Sequence, residues 1–180
     1  MKSILLEASK YRGHKVFVSY TTSEQYLIVP DPYKKDYSFM LIKQNLAQAL
    51  EKSFWMELYP EYFPDAMAYG CFNNDELIAL IELTPERWNR RMRITELWVD
   101  PCFRRKHIAS DLLLFAIDHA NKDNSRMLIL ETQSCNTCAI DFYLENGFSL
   151  VGFDLFCYSN EDIENHEIRL EMGMILGEIQ

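Results

Sequence analysis

No stretch of this sequence stays apolar for the roughly 18 residues that a membrane-spanning helix requires, so none is expected. The opening residues, MKSILLEASKY, are interrupted by Glu7 and Lys10 too early to hold the apolar core of a secretory signal. Internal repeats, low-complexity tracts and long Gly/Ser linkers are missing as well, which leaves no seam at which to divide the chain. Cysteine is sparse and irregular. Cys71, Cys102, Cys135, Cys138 and Cys157 form an odd set without the spacing of a secreted disulfide framework. Cys135 and Cys138 make a lone CxxC, yet a zinc site needs a second ligand pair, and His14, His107, His119 and His166 are scattered. The pair reads as reduced thiols at a helix start, and no metal is expected. Cations are in the minority: 18 Lys and Arg stand against 27 Asp and Glu, a net charge of −9. That balance excludes a general nucleic-acid-binding surface, which needs clustered Lys and Arg. The expectation is one soluble, cytoplasmic domain over residues 1–180.

What is present supports a folded core, because apolar residues make up 48% of the chain and argue against disorder. Strand-prone segments lie at Val16–Tyr20 and Tyr26–Val29, the second ended by Pro30 and Pro32. Leu46, Ala49, Leu50, Ser53 and Phe54 fall at helical spacing, which predicts an amphipathic helix over 41–58. MAYGCF and ELIALIEL flank Asn73-Asn74-Asp75 and predict an antiparallel hairpin. A strand at Ile94–Val99 precedes a helix over Ile108–Asn121 with Leu112, Leu113, Ala116, Ile117 and Ala120 on one face. Met127–Leu130 suits a strand covered on both sides, and a helix from about Asn136 to Glu145 should stop at Asn146-Gly147. Strands over Leu150–Tyr158 and Ile168–Ile175 complete the pattern. Strand–helix–strand units imply parallel pairing and hairpins imply antiparallel pairing, giving an α/β chain with a mixed, twisted sheet flanked by helices.

The one dense basic cluster is Arg104, Arg105 and Lys106, between the strand at Ile94–Val99 and the following helix. Cations beside the free N–H groups of a helix start form an anion site. Arg104-Arg105-Lys106-His107-Ile108-Ala109 resembles motif A of the GNAT acyltransferases, Q/R-x-x-G-x-G/A, with His107 in place of the first glycine. Leu130–Phe148 is similar to that family's motif B through Asn136, Ala139, Tyr143 and Gly147-Phe148. Within the family, Pro32–Tyr37, Tyr69–Leu77, Ile81–Leu83, Trp88-Asn89, Leu130–Gln133 and Gly152–Phe156 look like the streptothricin acetyltransferases. The resemblance implies the GNAT fold, a mostly antiparallel sheet with splayed central parallel strands. A helical insert at about 39–64 is the expected departure from it.

The resemblance also implies a function: transfer of acetyl from acetyl-CoA to a primary amine of a small cationic acceptor such as a streptothricin-like antibiotic. Other readings are a protein or peptide amine as acceptor, or a GNAT-like module that binds a ligand without turnover. It implies that Arg104, Arg105, Lys106, His107, Ile108 and Ala109 hold the cofactor phosphates. The backbone of Leu97, Trp98 and Val99 would meet the acyl and pantetheine arm. Asn136 would bond the pantetheine amide, or else serve as a helix cap. Tyr143 is the implied general acid for the leaving thiolate, with a core aromatic as the alternative. Glu82 and Glu96 are the candidate bases, against solvated strand-face charges. Thr95 stands where the subfamily tends to carry a glutamate. Asp36, Tyr37, Glu131, Gln133 and Asp154 are implied on the acceptor side. His107 either costs the loop its grip on phosphate or compensates as a donor beside the three cations. A homodimer is implied by analogy, through pairing of the late strands.

Overall fold

Strands dominate the structure, a computed structural model that describes residues 3–30 and 38–177. In chain order its elements are β1 (Ile4–Leu6), α1 (Ala8–Tyr11), β2 (Lys15–Pro30), β3 (Phe39–Glu57), β4 (Met67–Asn73), β5 (Glu76–Glu86) and β6 (Arg91–Val99). A 3-10 turn (Pro101–Phe103), α2 (Ile108–Lys122), β7 (Met127–Gln133), α3 (Thr137–Glu145), β8 (Ser149–Asp154) and β9 (Arg169–Ile175) follow. The described residues form two compact units, one of 3–18, 54–130 and 173–177, the other of 19–30, 38–53 and 131–172.

In the first unit the strand order is β1-β4-β5-β6-β7. The ladders β1–β4, β4–β5 and β5–β6 are antiparallel, and β6–β7 is parallel. Asn74 and Asp75 both take left-handed φ, the geometry of a two-residue hairpin turn, so the expected β4–β5 hairpin forms. β5 is buried along nearly all of its length, as a central strand covered on both faces must be. Leu6, Val16, Met56, Leu58, Tyr59, Ala68 and Leu80 pack as one core cluster. Ile108, Leu112, Leu113, Ala116 and Ala120 form the buried stripe of α2, which lies against β5 and β6. This is the helix face that the 3.6-residue spacing predicts.

The β5–β6 turn is closed by charge. Glu86 accepts hydrogen bonds from Arg91 and Arg93 at 2.7 Å each and from Asn89 at 3.2 Å. Burial pushes its carboxyl up, but the bonds from Arg93, Asn89 and Arg91 outweigh that and hold it below the usual carboxylate range. A depressed folded-state pKa stabilises above the unfolded value, near 4.3, and the gain is lost as pH falls through the folded value. Glu86→Gln should therefore cost about 2 kcal/mol at pH 7. Urea melts of both proteins should converge as the pH drops below about 4.

In the second unit the last residues of β7, then β9, then β8 are neighbours in that order. Thr137, Ile140 and Tyr143 are the buried side of α3, and Gly147, at φ 87°, ends it where Asn146-Gly147 predicts a stop. β2 and β3 pair with each other in a separate two-stranded sheet.

Three expectations are corrected. The helix over 41–58, and with it the helical insert at 39–64, is instead the 19-residue strand β3. Beyond Leu41 its sheltered positions, Leu46, Leu50, Lys52 and Met56, are all even-numbered, a two-residue period running through sites that are also four apart. The two short early strands are one continuous strand, β2. The strand expected over Leu150–Tyr158 stops at Asp154, whose carboxylate accepts the Phe156 N–H at 3.0 Å and turns the chain.

Candidate active site

β6 sets the geometry of the first unit. Its parallel ladder to β7 runs from Arg91↔Met127 to Ile94↔Leu130 and goes no further, although β6 continues to Val99. A strand edge whose neighbour has left exposes alternate backbone N–H and C=O groups, and those groups need partners. Leu97, Trp98 and Val99 lie on this stretch. The half-buried indole of Trp98 packs against the core cluster, and its Nε1 meets no acceptor.

The loop that follows is tightly built. The Asp100 N–H donates to Ile78 O at 2.8 Å, and the Asp100 carboxylate caps the 3-10 turn by accepting the Cys102 N–H at 2.8 Å. Arg104 Nε donates to Val99 O at 3.2 Å, closing the loop on the strand it leaves. The Lys106 ammonium sits over the Phe103 ring, 4.7 Å from its centroid. Arg104, Arg105, Lys106 and His107 are all exposed, whereas Ile108 is buried and Ala109 half-buried. Arg105 and His107 are left-handed, at φ 59° and 61°. His107 therefore keeps the backbone path for which glycine is the usual residue, and histidine is among the side chains that tolerate it. Its imidazole forms no capping bond, so it does not occupy the N–H groups of the first turn of α2. Exposed cations, a left-handed turn and open helix-start donors together fit a phosphate-bearing ligand.

Of the two candidate bases, Glu82 is fully buried, and both of its carboxylate oxygens are engaged. One accepts the Tyr59 N–H at 2.7 Å and the other the Thr95 hydroxyl at 2.8 Å. Burial pushes the Glu82 carboxyl up, and the two hydrogen bonds pull part of the way back. Glu96 stands directly across the ladder from Glu82 and is half-buried.

The remaining candidates lie in the second unit. Glu131 accepts the Tyr158 hydroxyl at 2.8 Å and pairs with Arg169 at 3.0 Å, while Arg169 also binds Glu171 at 2.8 Å. Gln133 accepts the Tyr20 hydroxyl at 3.2 Å. Burial, with Cys135 or Glu131 adding to it, holds the phenols of Tyr20 and Tyr158 far above their ordinary value, so both stay protonated. Sequence reasoning missed Tyr20, Tyr158 and Arg169, which belong to no local pattern. Asn136 holds the N-cap position of α3 through its backbone, but its side chain makes no capping bond. Tyr143 is buried against Phe142 and Phe148. Asp154 is exposed and committed to its turn. Asp36 and Tyr37 lie outside the described residues. Among those residues there is no group of three or more His, Cys, Asp or Glu side chains able to hold a metal, and no helix long and apolar enough to cross a membrane.

A family model described as the acetyltransferase (GNAT) family matches residues 34–148, which take in β6, the basic loop, α2 and α3. A streptothricin acetyltransferase of Escherichia coli is 35% identical over 103 residues, 57% of this chain and 59% of that protein. One from Streptomyces lavendulae is 31% identical over 99 residues, 55% of this chain and 52% of that protein. The matched region thus spans less than two thirds of these relatives. Among solved structures, a nourseothricin acetyltransferase superposes with a TM-score of 0.76 at 22% identity, covering 98% of both chains. A Bacillus anthracis protein in complex with acetyl coenzyme A gives 0.72 at 22% identity, over 87% of this chain and 88% of its own. At that identity both are likenesses of fold.

Proposed function

Because the chain belongs to the acetyltransferase (GNAT) family, we propose that it is an N-acetyltransferase moving the acetyl group of acetyl-CoA to a primary amine of a small cationic acceptor. The observation that carries this reading is the basic loop. It keeps its left-handed turn at His107 and its exposed cations, directly after a strand edge that β7 has left. A streptothricin-like antibiotic is the acceptor we favour, on the likeness to the streptothricin acetyltransferases. The reading takes the chain as one cytoplasmic domain, with a homodimer as its proposed assembly.

Acetyl-CoA, when bound, supplies an acetyl group activated as a thioester. Arg105, Lys106 and the N–H groups at the start of α2 hold its phosphates, and Arg104 keeps the loop closed on β6. Backbone N–H groups between Leu97 and Val99 bind the pantetheine arm and the carbonyl oxygen as it gains charge. The acceptor amine is an ammonium at neutral pH, with a pKa near 10.4, and has no lone pair until a proton leaves. Glu96 receives that proton, directly or through water. As the new C–N bond forms and the C–S bond breaks, the Tyr143 hydroxyl would donate a proton to the departing sulfur, and the second proton that the nitrogen sheds on becoming an amide would restore the phenol. Asn136 takes the pantetheine amide, its side chain being uncommitted to the helix cap. Asp36, Tyr37, Glu131, Gln133 and Asp154 are the proposed acceptor contacts.

Calorimetric titration with acetyl-CoA, followed by mass spectrometry of a streptothricin offered as acceptor, tests the proposal. Saturable binding and a gain of one acetyl group are expected. The absence of binding at millimolar cofactor would overturn the enzymatic reading.

A further inference from the structure

Glu82 is a costly residue to bury, and its contacts show what it holds. Tyr59 has a left-handed backbone, φ 57°, which a bulky residue keeps only where its surroundings over-determine it. Its N–H donates to Glu82, its carbonyl accepts from Arg12 at 2.9 Å, and its hydroxyl donates to Leu6 O and accepts the Ala68 N–H at 3.0 Å. β1, β4 and the end of the 54–59 segment are thereby tied to one buried carboxylate on β5. The other oxygen reaches β6. The β5–β6 register shifts there, with Glu82 opposite Glu96 and Leu83 opposite Ile94, so Thr95 is the extra residue of a β-bulge. The ladder from β6 to β7 ends at Ile94, immediately before that bulge. A bulge bends and re-aims the strand beyond it, and here that strand is Glu96–Val99.

We propose that Glu82 is a positioning residue: its bond to the Thr95 hydroxyl anchors the bulge to the buried Tyr59 network and so fixes the aim of Glu96 and of the Leu97–Val99 backbone. This rests on the acetyl-transfer reading for its catalytic consequence, but the structural claim stands apart from it. A positioning role and a base role separate at the isosteric amide, Glu82→Gln. The amide's carbonyl oxygen can still accept the Tyr59 N–H and its NH2 group can donate to the Thr95 oxygen, whereas an amide cannot take up a proton as a base must.

The test compares Glu82→Gln with Thr95→Val, which removes only the hydroxyl at the bulge. Amide hydrogen exchange in the ligand-free protein is the first measurement. Thr95→Val should speed exchange at Leu97–Val99 about tenfold while leaving β4 and β5 protected, and Glu82→Gln should stay within about threefold of wild type. In turnover, Thr95→Val should lower kcat about tenfold with coenzyme A affinity within about twofold, and Glu82→Gln should keep at least about a third of wild-type kcat. Unaltered exchange in Thr95→Val would overturn the anchor. So would a Glu82→Gln protein that exchanges like wild type but has lost turnover, since Glu82 would then be moving a proton. A wild-type protein that binds no coenzyme A would remove the proposed function and leave the exchange comparison to decide the anchor.

Discussion

Replacing Arg105 and Lys106 together by alanine is expected to weaken coenzyme A binding about a hundredfold without unfolding the protein. Each cation can place one charge-assisted hydrogen bond on a phosphate, worth about 1.5 kcal/mol at the low end of the range for so exposed a site. Two of them amount to about 3 kcal/mol, or two decades of affinity. Both side chains are exposed, and among the described residues the internal contact that the double variant loses is the Lys106–Phe103 cation–π contact, about 0.5–1 kcal/mol. Arg104 is a poorer choice for this test, because its bond to Val99 O makes it part of the loop's own closure. Calorimetry should also show a salt dependence in the wild type that flattens in the variant. His107→Gly belongs in the same series. Relief of a left-handed backbone, about 1–2 kcal/mol, outweighs or matches the entropy that glycine gains in the unfolded chain, about 0.5–1 kcal/mol, so the variant should be no less stable than wild type. Any change in affinity then reports the imidazole alone. A loss of about fivefold is expected, the mark of a phosphate donor, whereas tighter binding would make the ring an obstruction.

That loop also shows what could be read from the chain before its structure. The β6–loop–α2 segment is contiguous, and its signals agree: a strand, a proline-led turn, three cations and a helical apolar stripe. The glycine missing from the family pattern was legible as His107, but its consequence depends on a backbone angle that the residue name does not determine. β3 misled because apolar residues four apart satisfy a helical and a two-residue period alike. Its pairing with β2 is what decided between them. The anchor at Glu82 was beyond local reading altogether. Tyr59 is 23 residues away and Thr95 13 residues away, and the pattern IEL gives no hint that its acid is buried with a donor on each oxygen. Glu131 is similar, for Tyr158 and Arg169 reach it from sequence-distant positions. Contact at long range thus supports a positioning role at Glu82, which the Glu82→Gln comparison tests, and leaves Glu96 to be tested as the base.

Tyr143→Phe carries the other large effect and addresses the proton rather than the grip. Tyr143 is 8% exposed and packs against Phe142 and Phe148, with ring centroids 5.3 and 5.5 Å away. Phenylalanine reproduces that packing, so a purely structural tyrosine would lose little more than the value of its hydroxyl, about 1 kcal/mol of stability. A tyrosine that protonates the departing sulfur is a different case. The thiolate must then leave unprotonated, and general-acid catalysis contributes about 100-fold or more to such a step. The expected result is therefore a fall in kcat of about 100-fold, with coenzyme A affinity within about twofold and a melting temperature close to wild type. A variant with unaltered kcat would reduce Tyr143 to a core aromatic. A fall in kcat matched by an equal loss of coenzyme A affinity would make it a cofactor contact instead of an acid.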